Sequence, residues 1–205
     1  MKLILASKSP RRKELLELIT PDFEIVTEEV DERAIESELK AKMSKDETMR
    51  EFASKLTVRL SESKASAVFG NFSREERENI IVIGADTCVV TEDEILGKPE
   101  DKDDARRMLK KLSGTDHYVI TGVSIIASGV KDCFFQESTV RFNELDEYQL
   151  KRIEEYIGTN DPYDKAGAYG IQTSGSLLIK EISGDYFNIV GLPVSVLARH
   201  LNGIL

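Results

Sequence analysis

The chain has 205 residues, 40% of them hydrophobic and 32% charged, with a formal net charge of −9 and a pI near 4.9. That length can bury a sizeable core without disulfides or metals. The acidic balance excludes broad binding to nucleic acid or anionic membrane, which needs an electropositive footprint, but it allows one basic pocket for a small anion. Cys88 and Cys133 form no CxxC pair and the only histidines are His117 and His200, so structural zinc is not expected. A disulfide between the two cysteines stays open, because spacing gives no distance. The apolar stretch in MKLILASKSPRR is too short for a secretory core, and no run approaches membrane-spanning length. The expectation is a soluble, cytoplasmic protein with one domain over residues 1–205.

In chain order, KLILA (2–6) reads as a buried strand. Ser9 then caps a helix with Pro10 in its first position and Leu15, Leu18 and Ile19 along one face. Arg11 and Arg12 fall in that helix's first turn, where the backbone dipole disfavours cations. An anion bound to the free N–H groups explains them; two solvated arginines are the plainer alternative. FEIVTEEVDER (23–33) reads as a strand entering an acidic loop. From about Asp46 to Phe69, the spacing of Phe52, Leu56, Leu60 and Ala67 predicts a long amphipathic helix. Lys64 lies beside its buried stripe, so its ammonium either snorkels to solvent or points into a cleft.

Residues 70–79 are turn-like and lead into IIVIGADTCVV (80–90). Ile80 to Ile83 read as a buried strand, and Gly84 and Ala85 then remove side-chain bulk. Asp86 falls at the strand's carboxyl end, where open α/β sheets keep their crevices. Taken alone, that position reads more simply as a turn residue or a cap on the Thr87 amide. Other charged residues aimed at the same place shift the reading toward a site.

A hairpin closing on Gly97, Lys98 and Pro99 is expected next, then a helix capped by Asp103 or Asp104 and ended by Gly114. Two long strands follow, joined at Ser128–Gly129, and then a helix from about Asp146 to Ile157 with Leu150, Ile153 and Ile157 inward. TNDPYDKAGAYGIQTSGS is a long loop of the kind that is more often functional than inert. SLLIKEISGDYFNIVG reads as strand, turn and second strand, and PVSVLARHLNGIL as a closing helix. The class is α/β, with strand pairs set in a mixed background.

The pieces LASKSPRR (5–12), VDE (30–32), RLSESKA (59–65), GADT (84–87), LGKP (96–99), LSGTDHYVITGV (112–123), DKAGAYGIQ (164–172) and GDYFNIVGLP (184–193) occur in the order of one known family. The chain resembles the Maf family of nucleoside triphosphate pyrophosphatases along nearly its whole length. The resemblance implies a Maf/ITPase-like fold: an elongated mixed sheet flanked by helices, with two lobes around a central cleft. It also implies hydrolysis of a nucleoside triphosphate to the monophosphate and pyrophosphate with a divalent metal, Mg²⁺ or Mn²⁺, and a homodimer with a house-cleaning role. Arg11, Thr87 and Gln172 match the dTTP/UTP type. Thr173 stands where the family pattern carries glycine, and Cys88 where a small aliphatic residue is commoner.

The residues supply roles consistent with that resemblance. Cleavage at the α-phosphorus is mainly a matter of positioning and charge. Arg11 and Arg12 can fork onto phosphate oxygens, while Lys64 and Lys98 act as point charges. Glu32 and Asp86 offer hard oxygen ligands to the metal, and Asp86 is the candidate for activating water. The Gln172 amide can complement the O4 and N3–H edge of uracil or thymine. Asp164 and Lys165 either contact substrate or form an ion pair holding the loop. Ser9 reads as a phosphate donor or a plain cap, and Thr87 as a base contact or a backbone partner. Tyr169 and Phe187 could stack on a base or belong to the core. Two competing functions are a pyrophosphatase for other or modified, including purine, nucleotides and a non-catalytic regulator of septum formation and cell division. A P-loop phosphoryl transferase is not supported, since no GxxxxGK[ST] occurs.

Overall fold

The structure is a computed structural model that describes residues 1–204. Its strands are β1 (Lys2–Leu5), β2 (Glu24–Ile25), β3 (Ile80–Val90), β4 (Ile95–Leu96), β5 (Asp116–Ala127), β6 (Val130–Phe142) and β7 (Ile179–Ser183). The helices are α1 (Pro10–Glu17), α2 (Glu32–Ala41), α3 (Met49–Gly70), α4 (Arg74–Arg77), α5 (Lys102–Leu112), α6 (Glu147–Ile157), α7 (Tyr186–Val190) and α8 (Val194–Asn202). One mixed sheet runs in the order β2-β1-β3-β5-β6-β7, with β4 pairing β3 separately. The two pairings of β1 are parallel, and every other pairing is antiparallel.

The sheet is interrupted along one edge of β3. Its parallel neighbour β1 stops at the pair Leu5–Ile83, and β4 begins only at Val89–Leu96. Residues 84–88 are therefore paired only on their other side, with β5. Asp86 is mid-strand at this gap, not at a strand end as the sequence suggested. The strand continues because β5 supplies a partner all the way to Val90, a pairing invisible in the local pattern.

The odd-numbered residues of β3, on one face, serve two cores along the strand. Ile81, Ile83 and Ala85 join Leu15, Leu16, Leu192, Leu197 and Leu201 in one cluster. Val89 belongs to a second cluster with α5, α6 and Phe142. On the opposite face α3 lies directly on the sheet. A Cβ at Gly84 would stand 2.1 Å from the Ser61 carbonyl oxygen, and one at Gly122 would stand 2.3 Å from the Thr57 carbonyl carbon. Ser61 and Ser124 hydroxyls bond across this contact at 2.7 Å. Glycine at both strand positions permits that approach.

Several local expectations are corrected. In α1 Leu15 is buried as expected and Leu16 is buried with it, while Leu18 is exposed. The long helix starts at Thr48, which forms a capping box with Glu51, and Ala65 rather than Ala67 is buried. Residues 32–41 form a helix, so the acidic loop expected to run to residue 33 ends at Asp31, which caps the helix by accepting from the Ala34 N–H at 2.9 Å. Residues 74–77 form a helical turn, α4, where only a polar turn was expected. Asp101, not Asp103 or Asp104, caps α5. In α6, Tyr156 and Gln149 are buried and Leu150, expected inward, is exposed. YFNIV is a short helix and not a strand: Asp185 caps it, accepting from Phe187 N at 2.8 Å, and Gly191 ends it at φ 127°. A five-residue apolar run does not distinguish the two by period. Cys88 and Cys133 are both free thiols. No helix among the described residues is long and apolar enough to cross a membrane.

Candidate functional site

The gap in the sheet opens into a cleft of about 1120 Å³. It is lined by the β1–α1 turn, the segment 27–32, one side of α3, the middle of β3, the turn at Lys98 and the loop 161–173. Asp86 shares a strand face with Gly84, two residues away, and so points toward α3. Because α3 rests on Gly84 at Ser61, Lys64, one turn later, stands over Asp86. Its ammonium is 2.5 Å from Asp86 Oδ1 and 2.7 Å from Glu32 Oε1. Glu32 reaches it because Ile35, Leu39 and Met43 pack α2 and its C-terminal turn onto Phe52, Leu56 and Leu60. The Lys64 alternative is thus decided for the cleft. Burial raises the Asp86 carboxyl above its ordinary range, against the opposing pull of Lys64 and Arg12.

Arg12 crosses the gap. Its Nε donates to the Gly191 carbonyl at 2.9 Å, Nη1 to the Ala85 carbonyl at 2.8 Å and to Ser7 Oγ at 3.4 Å, and Nη2 to Thr87 Oγ1 at 2.9 Å. The Ala85 carbonyl lies on the unpaired edge of β3, so the guanidinium replaces a missing strand partner. Most of the fork is therefore spent on the protein, and Arg12 brings mainly charge to the cleft. The Thr87 hydroxyl, which also lines the cleft, pairs in addition with Thr121 Oγ1 at 2.9 Å. Arg11 is less engaged, with a single ion pair among the described residues, to Asp164 at 2.9 Å. Ser9 caps α1, accepting from the Arg12 N–H at 3.4 Å.

On the far wall, Lys165 is buried and bonds both Asp164 (2.7 Å) and Asp161 (2.9 Å), so its place in an ion-pair cluster is established. Burial pushes the Asp164 carboxyl up, but Lys165 and Arg11 outweigh it and hold it below the ordinary range. Lys98 and Gln172 are exposed on the cleft rim and make no side-chain hydrogen bond among the described residues. Tyr169 is buried, with its hydroxyl 2.9 Å from His117 Nε2, and Phe187 does not line the cleft. Burial pulls His117 down to about 3, so it is neutral. His200 instead meets Asp132 at 2.6 Å on the outer surface.

Sequence reasoning did not find Thr121, Tyr156 or Asp161, and gave Glu28 and Glu29 no role beyond the acidic loop. Nothing local marks Thr121, whose hydroxyl meets Thr87 and the Asn188 carbonyl across the fold, and Tyr156 and Asp161 meet Gly170 and Thr173 only once the loop folds back on α6. Among the described residues, six cations (Lys8, Arg11, Arg12, Lys64, Lys98, Lys165) face seven carboxylates (Glu14, Glu28, Glu29, Glu32, Asp86, Asp161, Asp164) in the cleft. No group of three or more His, Cys, Asp or Glu side chains able to cage a metal occurs among the described residues. Glu32 and Asp86 nevertheless converge on one cation, the Lys64 ammonium, and two hard-oxygen donors with that arrangement fit Mg²⁺ or Mn²⁺ completed by phosphate and water.

An α/β chain with a polar cleft at the break of a mixed sheet is the class these features define. The family model described as Maf-like protein matches residues 2–204, and the chain belongs to the Maf family. It is 47% identical over 197 residues to a protein of Clostridioides difficile named dTTP/UTP pyrophosphatase, covering 95% of this chain and 91% of that one. A Bacillus cereus protein of the same name is 44% identical over 202 residues, covering 98% and 94%.

Proposed function

We propose that the chain hydrolyses dTTP and UTP between the α- and β-phosphates, releasing the nucleoside monophosphate and pyrophosphate. The observation that carries this reading is the meeting of Asp86, Lys64 and Glu32 at the gap in the sheet, beside the Arg12 charge. The near-full-length similarity to proteins named dTTP/UTP pyrophosphatase supports it. The attacking water gives its proton to Asp86 as its oxygen bonds the α-phosphorus. The bond from that phosphorus to the bridging oxygen breaks, and the pyrophosphate leaves with the electron pair. Asp86 suits the base because its raised pKa makes it a better proton acceptor than an ordinary carboxylate.

Arg11, Lys98 and Lys165 stand on the walls where a polyphosphate lies, and Arg11 is the fork most open to it. Gln172 reads the pyrimidine edge; Ser9 and Thr87 support the α1 start and Arg12, and Asp164 orients Arg11. Glu32 and Asp86 would hold a divalent ion, which when bound neutralises triphosphate charge and polarises phosphate oxygens. A homodimer and a cytoplasmic house-cleaning role complete the reading, carried by the family resemblance; light scattering on the purified protein checks the first.

The test is incubation with each NTP and dNTP and Mg²⁺ or Mn²⁺, with pyrophosphate and orthophosphate quantified separately. Pyrophosphate with UMP or dTMP is expected, lost with EDTA and reduced at least about 10³-fold in Asp86→Ala. Orthophosphate as the first product sinks the α-phosphorus assignment. Absence of turnover from folded protein would move the reading to a binding role.

A further inference from the structure

One carboxylate in the loop 159–176 is used by none of these roles. Asp161 is about three-quarters covered and collects three donors: Lys165 Nζ at 2.9 Å on Oδ1, and Thr173 Oγ1 at 2.6 Å and the Tyr156 hydroxyl on Oδ2. Lys165 Nζ also bonds the Asp161 carbonyl at 2.7 Å. Tyr156 is buried in α6, and its hydroxyl oxygen accepts from Gly170 N at 3.0 Å. Space is reserved for these side chains. A Cβ at Gly170 would stand 2.7 Å from Lys165 Cε, and one at Gly175 would stand 3.0 Å from Tyr156 Cζ. A solvated surface acid needs no such cradle. Both ends of the segment 170–173 are held by this cluster, and its exposed member is Gln172.

We propose that Asp161 is a positioning residue for Gln172: through Thr173 and Tyr156 it clamps the segment that presents the Gln172 amide to the base, and so sets base preference without touching substrate. This deepens the reading of the cleft as a pyrimidine nucleotide site and rests on it. The same cluster reaches the phosphate side, because Lys165 bonds Asp164 at 2.7 Å and Asp164 accepts from Arg11 at 2.9 Å. Base-reading and phosphate-binding walls are thereby joined by charge-assisted hydrogen bonds, the geometry that holds a recognition group within the tolerance it needs. Burial pushes Asp161 up, but Thr173, Tyr156 and Lys165 outweigh it, so the clamp is ionised and a strong acceptor.

Thr173→Val removes the hydroxyl at nearly constant shape, and Thr173→Ser restores it. Two quantities decide: amide hydrogen exchange at residues 170–173 of the nucleotide-free protein, and the ratio of kcat/KM for UTP to that for CTP. In Thr173→Val we expect exchange there to quicken and the ratio to fall, each about tenfold, with the fall carried by KM and both reversed in Thr173→Ser. Amides of α6 and β5 should keep their protection. Unchanged exchange overturns the clamp, whatever the substrate. Faster exchange with an equal loss on UTP and CTP, or with no change in their ratio, overturns its role in base preference. Wild-type protein that does not prefer UTP over CTP would instead overturn the assignment of Gln172, with exchange still deciding the clamp.

Discussion

At the scale of single residues, Asp86 shows how function and stability pull apart. Its folded pKa lies above the unfolded value because burial outweighs its cationic neighbours. A carboxyl shifted that way stabilises the fold below its unfolded pKa, and the contribution is lost as pH rises through the folded pKa. At neutral pH the ionised side chain is a cost accepted for chemistry. Asp86→Asn should therefore unfold at or above the wild-type temperature at pH 7 while losing turnover; a fall of many degrees would show that the Lys64 pair dominates. As a base, Asp86 works only when ionised, so kcat/KM falls as pH drops through its pKa. Lys64 lowers that pKa, so in Lys64→Met the acid limb should move to higher pH, alongside a lower plateau. A limb that stays in place would remove Asp86 as the titrating group.

At the scale of elements, the site depends on how closely α3 approaches the sheet. Gly84 and Asp86 lie on one strand face, and Ser61 and Lys64 on one helix face, so contact at the first pair brings the second together. Gly84→Ala places a Cβ against backbone, which cannot swing aside as a side-chain tip can. The expected cost is about 3 kcal/mol, read as a lower urea midpoint, with turnover falling further than stability accounts for. Gly70→Ala, at the end of the same helix with nothing within 4 Å of the added carbon, should be neutral or stabilising. Equal midpoints for the two variants would refute close packing as the origin of the Lys64–Asp86 contact.

At the scale of the whole molecule, charge sets the terms of binding. The chain carries −9, and the cleft itself holds six cations against seven carboxylates, so a triphosphate meets no net positive field. A divalent ion at Glu32 and Asp86 would reverse that balance, which ties nucleotide affinity to the metal and not only turnover. With a UTP analogue whose α,β-bridging oxygen is replaced by a methylene group to prevent hydrolysis, calorimetry on the unaltered protein should show binding at least about tenfold weaker in EDTA than in Mg²⁺. Equal affinities would mean that the arginines and lysines suffice.

Much of this molecule follows from its own chain. Ser9 and Pro10 start α1, the apolar runs make β1, β5 and β6, the stripe of α5 faces inward as spaced, and the motif residues Asp86, Lys64, Glu32 and Arg11 all reach one cleft. These depend on propensity, capping and periodicity, which act over a few residues. Other features needed the folded chain. The gap that exposes Asp86 exists because β1 ends before β4 begins, and Arg12 and Thr87 turned inward because that gap left a carbonyl to satisfy. The Asp161 cluster joins α6 to a loop with no periodic pattern, and YFNIV became a helix because its cap and the buried Asn188 amide, bonded to the Val119 carbonyl and Ser138 Oγ, held it. Most of these contacts join residues far apart in sequence, and the shorter-range ones close only when the loop is folded against α6 and the sheet, so local spacing carries no record of them.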